Sequence, residues 1–383
     1  MLEKKQKEQM RICHISTVHP SNDVRIFYRE CSCLIKAGFE VHLVISENES
    51  TVRKGVHIHA IRQVKSKLLR MLFMPWVAMR KALQTKSSIY HYHDPELLFM
   101  GFVLRWAFGK KVVFDIHESI PRQIMGKPWL PKWSRKPVAI FYKFVERIFT
   151  NGQALVLANL RSVPDYPPSA YVVRNYPLLD EELIAEVGSE TKNLEEPSLI
   201  YLGGVWESRG ALLYVELAKR LLERGHSFRM QIIGPYTEKL GKELKSKIEK
   251  SHLQDKVLLT GRLDWVKAMK LVSQATIGMC LLLPIPNYDV ILSTKILEYM
   301  MVGTPVLASN FEHWRSYVEG ERTGMMADPA NIDEVIEVCE KMLSNPGELT
   351  AMGKRGMEAV RTKYNWDTEF KVLLKCYEKL RKG

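Results

Sequence analysis

The sequence predicts an α/β protein of two tandem, Rossmann-like, doubly wound domains. Three observations predict it. Short apolar runs alternate with helical patterns along the chain; a single polar stretch near the middle interrupts this alternation; and 383 residues exceed what one hydrophobic core usually organises. With 46% hydrophobic and 26% charged residues the composition is globular.

In the first half the runs are "RICHIS", "EVHLVIS", "VHIHAI", "IYHYH", "KVVFDI", "ALVLAN" and "AYVVRN". Runs this short, bounded by turn residues and separated by helical patterns, suit parallel strands covered on both faces. After "NYP", the stretch "LLDEELIAEVGSETKNLEEPS" reads as a helix and an interdomain linker. The alternation then restarts with "LIYLGG", "FRMQIIG", "KVLLTG", "IGMCLLL", "TPVLAS" and "TGMMAD". The predicted domains are residues 1–180 and 181–365, with a closing helix over 366–383. Doubly wound domains bind ligands at the carboxyl ends of their strands, so a site built from both halves is expected in a cleft between them.

The net charge of +13 is unevenly placed. Residues 1–180 hold 28 lysines and arginines against 14 acids, and the remainder holds 28 against 29. Two windows without an acid concentrate the excess. One carries Arg62, Lys65, Lys67, Arg70, Arg80 and Lys81 around Phe73 and Trp76; the other carries Arg122, Lys127, Lys132, Arg135, Lys136 and Lys143 beside Trp129, Trp133 and Phe141. Basic residues mixed with Trp and Phe suit an anionic lipid surface, where each contributes about 1 kcal/mol. Two amphipathic core helices with basic outer faces are the other reading. No nucleic-acid motif accompanies the charge.

No stretch reaches the roughly 18 apolar residues of a membrane span, and "MLEKKQKEQM" lacks the apolar centre of a signal peptide. A cytoplasmic protein, peripheral on the inner face of the cell membrane, is the expectation. Cys13, Cys31, Cys33, Cys280, Cys339 and Cys376 show no metal-ligand spacing and read as reduced thiols.

Chemistry is concentrated in "STKILEYMMVGTPVLAS". Ser293 and Thr294 are natural helix caps, and Lys295 and Glu298 occupy the first turn of an otherwise apolar helix. A helix N-terminus attracts phosphate. Ser293, Thr294 and Lys295 would present donors to a diphosphate, and Glu298 would accept from a ribose diol. An ordinary capped helix with a partly exposed Lys/Glu pair is the competing reading. In "YLGGVWESRG", Gly203 and Gly204 let backbone amides approach a ligand, and Arg209 can clamp phosphate; a tight strand-to-helix turn explains the same residues. In the first half, "STVHPSNDVRIFYRE", "HYHDPELL" and "FDIHES" are strand ends followed by polar clusters. They supply His19, Asp23, Arg25, His93, Asp94, His117 and Glu118. Asp94, before Pro95, reads as a helix cap. His91, His93 and His117 have a spacing poorly specific for metal, so no metal or cofactor is expected. No nucleophile elbow, Walker loop, C-x-x-C or G-x-G-x-x-G occurs.

Together these stretches resemble the retaining nucleotide-sugar glycosyltransferases of the GT-B fold, family 4. "VHPSNDVRIFYRECSCLIKAGFEVHLV", "VFDIHES", "VVRNYP", "LIYLGGVWESRG", "STKILEYMMVGTPVLAS" and "TKYNWDTEFKVLLKCYEKL" occur in the family's order, the last looking like the helix that crosses back onto the first domain. The resemblance implies that Glu298 holds the donor ribose and that Lys295, Ser293, Thr294 and Arg209 hold the diphosphate. It further implies that Arg262 and Leu263 flank the base and that His117 lines the donor sugar and acceptor. His117, Arg209 and Lys295 would carry catalysis, with His19, Asp23, Arg25, His93 and Glu118 on the acceptor side. Two positions depart from the family: Val290, beside Asp289, stands where a second glutamate is usual, and Gly204 stands where an Arg is usual. The implied reaction is metal-free transfer of a hexosyl unit from UDP-sugar or GDP-sugar to a saccharide or lipid-linked acceptor in bacterial surface polysaccharide, exopolysaccharide or glycolipid synthesis. A nucleotide-sugar epimerase of the same architecture and a non-catalytic sugar-nucleotide binding subunit are the alternatives.

Overall fold

The structure is a computed structural model describing residues 10–382 except 63, 65, 128, 159–164, 180, 188–195 and 286–291. The chain divides into two compact units: Met1–Asn175 with Trp366–Gly383, and Tyr176–Asn365. Each is an α/β unit around one sheet.

The first sheet has eight strands in the order β3-β4-β2-β1-β5-β6-β7-β8. They are β1 (Arg11–Pro20), β2 (Glu40–Ser46), β3 (Thr51–Arg53), β4 (Val56–Ile61), β5 (Ile89–Tyr92), β6 (Lys111–Ile116), β7 (Ala154–Leu157) and β8 (Tyr171–Val172). All pairs are parallel except β3 with β4. Strand β3 is not foreseen in the sequence, because a three-residue edge strand with two exposed positions has no apolar run to betray it. Runs such as Val41–Ile45 are buried throughout, as strands covered on both faces must be. The helix Trp366–Lys382 belongs to this unit and packs on β7 and β8.

The segment after β1 departs from the helix expected there. Val24–Cys31 is a π-helix, opened by Asp23, whose carboxylate accepts from the N–H groups of Arg25 and Ile26, both at 2.9 Å. Its wider turn leaves Arg25, Arg29 and Glu30, four and five residues apart, all buried. Such π-helical insertions gather at functional sites.

The second sheet has six parallel strands in the order β11-β10-β9-β12-β13-β14. They are β9 (Ser198–Leu202), β10 (Arg229–Ile233), β11 (Val257–Gly261), β12 (Ile277–Cys280), β13 (Val306–Ser309) and β14 (Gly324–Ala327). Of the polar stretch near the middle, Glu181–Val187 is helical; the proposed linker falls largely outside the described residues. In each sheet the chain reverses its winding beside one strand, β1 or β9, which leaves an opening at that strand's carboxyl end.

Candidate functional site

In the second unit the groups singled out in the sequence come together at the carboxyl ends of β9 and β12. The helix Thr294–Met301 is docked there by Tyr299, whose hydroxyl accepts from Leu202 N–H at 2.9 Å and donates to the Met279 carbonyl at 3.2 Å. A Cβ at Gly278 would stand 2.5 Å from the Tyr299 ring, so glycine is required beneath it. The helix N-terminus is thereby aimed over β9. Gly203, at φ +141°, faces Lys295: an added Cβ would lie 2.4 Å from Lys295 Cε. A Cβ on Gly204 would lie 3.2 Å from Arg209 Nη1. Lys295 Nζ stands 5.8 Å from the centre of the Tyr201 ring.

The buried Cys280 thiol reports the same convergence. Burial pushes its pKa up, while Lys295, a hydrogen bond with Ser293 and the charge of Arg209 oppose that and Glu298 reinforces it. Ser293 occupies the cap position, but its hydroxyl does not cap the helix. This corrects the expectation of hydroxyl capping and leaves the first-turn N–H groups to other acceptors. Arg262 and Leu263 follow Gly261 at the end of β11; Arg262 is exposed and Leu263 half-buried. Gly234 N–H donates to the Gly261 carbonyl at 2.8 Å, and a Cβ on Gly234 would stand 1.7 Å from the Gly203 carbonyl oxygen. The ends of β9, β10 and β11 are thus tied together by glycine contacts. Val290 and Asp289 lie outside the described residues.

In the first unit His19, Arg25, His93 and His117 assemble around two aspartates. Asp115, on β6, takes a two-pronged ion pair from Arg25, with Nε at 2.8 Å from Oδ2 and Nη2 at 2.9 Å from Oδ1. His93 Nδ1 and His117 Nε2 each lie 3.2 Å from the same carboxylate. Burial would raise the Asp115 pKa; Arg25, first among the opposing groups, holds it well below the usual carboxylate range. Burial lowers His93 to about 4.

Asp94 corrects a second expectation. It precedes the short helix Pro95–Leu97, yet its carboxylate makes no bond to that helix. Instead it accepts from Ser16 Oγ at 2.9 Å and from the N–H groups of Thr17 and Val18, where β1 loses its regular register, and pairs with His19 Nδ1 at 3.0 Å. Burial acts to raise Asp94, but His19 and these donors bring it down to about 2. Burial acts to lower His19, and Asp94 more than reverses it. The His19 and His117 rings are 5.0 Å apart.

Two acceptor-side candidates fall away from this cluster. Glu118 is exposed and receives a hydrogen bond from Gln123, while Asp23 is consumed in opening the π-helix. Sequence reading missed Asp115, His14 and Glu30. For Asp115 the signal was present, since a lone Asp inside the apolar run "KVVFDI" must have a buried partner.

Comparison with known proteins places the chain in a family. The family described as "Glycosyl transferases group 1" matches residues 185–359, and "Glycosyltransferase Family 4" matches residues 24–166. The chain is 25% identical over 171 residues to an alpha-D-kanosaminyltransferase of Streptomyces kanamyceticus, covering 45% of this chain and 42% of that protein, which is less than half of its length. It is 24% identical over 306 residues to an MMP alpha-(1->4)-mannosyltransferase of Mycolicibacterium hassiacum, covering 75% and 70%. Among solved structures, the Anabaena protein HepE in complex with UDP superposes with a TM-score of 0.71 at 10% identity, over 97% of this chain and 100% of that one. The fold is GT-B.

Proposed function

Because the chain belongs to the GT4-type glycosyltransferases with the GT-B fold, we propose that it is a retaining enzyme moving a hexosyl unit from UDP-sugar or GDP-sugar to a saccharide or lipid-linked acceptor. The epimerase and the non-catalytic subunit give way to a transferase, because both matching families and both relatives are glycosyltransferases. One observation carries the donor assignment: Gly203, Gly204, Arg209, Lys295 and Glu298 converge on the helix N-terminus at the carboxyl ends of β9 and β12. The diphosphate lies against that terminus, Lys295 and Arg209, and Glu298 takes the ribose hydroxyls. Arg262 and Leu263 flank the base. As the glycosidic bond to the donor breaks, charge grows on the β-phosphate, and these fixed donors stabilise it without reorganising. No metal takes part in this step; the donor phosphate accepts the acceptor's proton, and His117 lines the sugar.

Removing one such preorganised donor costs about 10²–10³ in turnover. Lys295→Ala and Arg209→Ala should each lower acceptor-dependent release of nucleoside diphosphate on that scale. Unchanged turnover in both would refute the assignment.

The acceptor is brought from an anionic membrane face. Trp129 is 73% and Trp133 81% exposed, and Phe141 and Phe144 stand beside them on or next to the helix Lys132–Phe149 with Lys132, Arg135 and Lys136. Among the described residues no helix is long and apolar enough to cross a membrane. Apolar rings with basic neighbours fit headgroup depth on the inner face of the cell membrane. Sedimentation with vesicles containing anionic lipid should show binding that weakens with salt and is lost in the double variant Trp129→Ser, Trp133→Ser. Equal binding by that variant would contradict the surface.

A further inference from the structure

Behind the Asp115 site, His14, Glu30, His91 and His93 form a fully enclosed cluster, each with a side chain at 0% exposure. Neither Glu30 oxygen accepts a hydrogen bond, although Arg25 Nε lies 3.1 Å from Oε1. Orphaned buried polar atoms are costly, and an unseen ion is one of the few physical reasons for them.

The distances point to that reason. From Glu30 Oε2, His14 Nδ1 is at 3.5 Å, His93 Nε2 at 3.8 Å and His91 Nδ1 at 3.9 Å; His14 Nδ1 and His93 Nε2 are 3.0 Å apart. All four ligand atoms lie within 4.8 Å of one another. A tetrahedral zinc site with bonds of about 2.0–2.1 Å has ligand-to-ligand edges of about 3.3 Å, close to this spacing. We propose that His14 Nδ1, Glu30 Oε2, His91 Nδ1 and His93 Nε2 bind one divalent transition-metal ion, with zinc favoured by three imidazoles and a carboxylate in a closed tetrahedron.

The surroundings supply outer contacts to two of the three histidines, His93 and His14, while His91 Nε2 has no partner. His93 turns its other nitrogen, Nδ1, to the Asp115 carboxylate at 3.2 Å, which fixes the tautomer and leaves Nε2 for the metal. His14 Nε2 faces the Tyr377 hydroxyl at 3.4 Å. That hydroxyl also lies 2.7 Å from His91 Nδ1, and metal binding transfers it wholly to His14. The ion cross-links β1, the π-helix, β5 and the segment after β5, and through His93 it sets the position of Asp115 and hence of His117. Fully enclosed, it has no open coordination position and takes no part in sugar transfer. The inference is independent of the donor site in the second unit.

The test uses the full chain purified without a metal-affinity tag. After chelator treatment and titration with Co²⁺, the protein should show the intense visible bands of tetrahedral cobalt, saturating at one ion per chain and discharged by Zn²⁺. Glu30→Gln should weaken binding at least tenfold, and His91→Phe should abolish the bands. Nitrogen-15 NMR of histidine-labelled protein should place the metal on Nδ1 of two rings and Nε2 of a third, a readout that needs no variant to fold. No tetrahedral bands in folded wild type, or bands that survive both substitutions, would overturn the site. In that case the four groups share protons rather than a metal.

Discussion

The two units bury their polar groups differently. In the first, Arg25, Arg29, Glu30, Asp94, Asp115, Glu146 and Glu369 are all buried, together with His14, His91 and His93; in the second, the buried polar side chains among the described residues are Ser, Thr and Asn alone. Its core is Leu, Ile, Val, Met and aromatic, and its charged candidates, Arg209, Lys295 and Glu298, stand half-buried at the strand ends. One unit fixes charge inside a low-dielectric interior, while the other keeps a dry sheet and offers charge at its rim. The difference teaches that neighbouring α/β units can make sites by opposite means: ion pairs locked in the core, or glycine turns and a helix terminus that present donors to a ligand.

The sharpest way to break this contrast is to remove one cation from each unit. Arg25→Met leaves Asp115 buried beside Glu30 and histidines with no permanent cation and should destabilise the first unit by about 3–5 kcal/mol. Lys295→Met removes a half-buried charge and should change stability by less than about 1 kcal/mol while weakening donor binding. Chemical denaturation of both full-length variants reads the comparison, and equal losses would end it.

Next in size is a pH effect confined to the first unit. Burial raises the Glu146 carboxyl to about 7, against the hydrogen bond it accepts from Tyr166 at 3.0 Å. Its folded pKa lies above the unfolded value of about 4.3, so its contribution is intact below pH ~4.3 and is lost as pH rises through about 7. The loss amounts to about 4 kcal/mol. Denaturation midpoints of wild type and Glu146→Gln should therefore diverge across that window in favour of the variant. Parallel curves would show that Glu146 titrates normally.

A smaller effect sharpens the account of the second unit. Gly234→Ala puts a Cβ against the Gly203 carbonyl at φ +148°, and the strained backbone should cost about 1–3 kcal/mol. Since Gly203 faces Lys295, donor affinity should fall as well. A fall in stability without a fall in affinity would separate the β9 turn from the site.

Much of the fold was legible because parallel strands buried on both faces must be written as unbroken apolar runs, and thirteen such runs each contain a strand. The cluster proposed to hold the donor was legible for a similar reason: a Lys and a Glu in the first turn of an apolar helix, beside a Gly-Gly strand end, are local signals. The first unit's cluster was not. His14, Glu30 and His91 come from β1, the π-helix and β5, and no spacing in the chain announces that these three elements meet. Asp94 was misread because Asp before Pro is a good local cap, and only the tertiary approach of Ser16, Thr17 and His19 outbids that role.

A nucleoside diphosphate sugar is expected to bind at the helix beginning with Thr294. This binding is tested most directly by thermal shift of wild type and Glu298→Gln with UDP, GDP, ADP and TDP and their common sugars. A ligand at 100 times its dissociation constant stabilises a fold by about 2.7 kcal/mol. One base, UDP or GDP, should give a shift that shrinks in Glu298→Gln. A shift of the same size in both proteins would place the donor elsewhere and contradict this site.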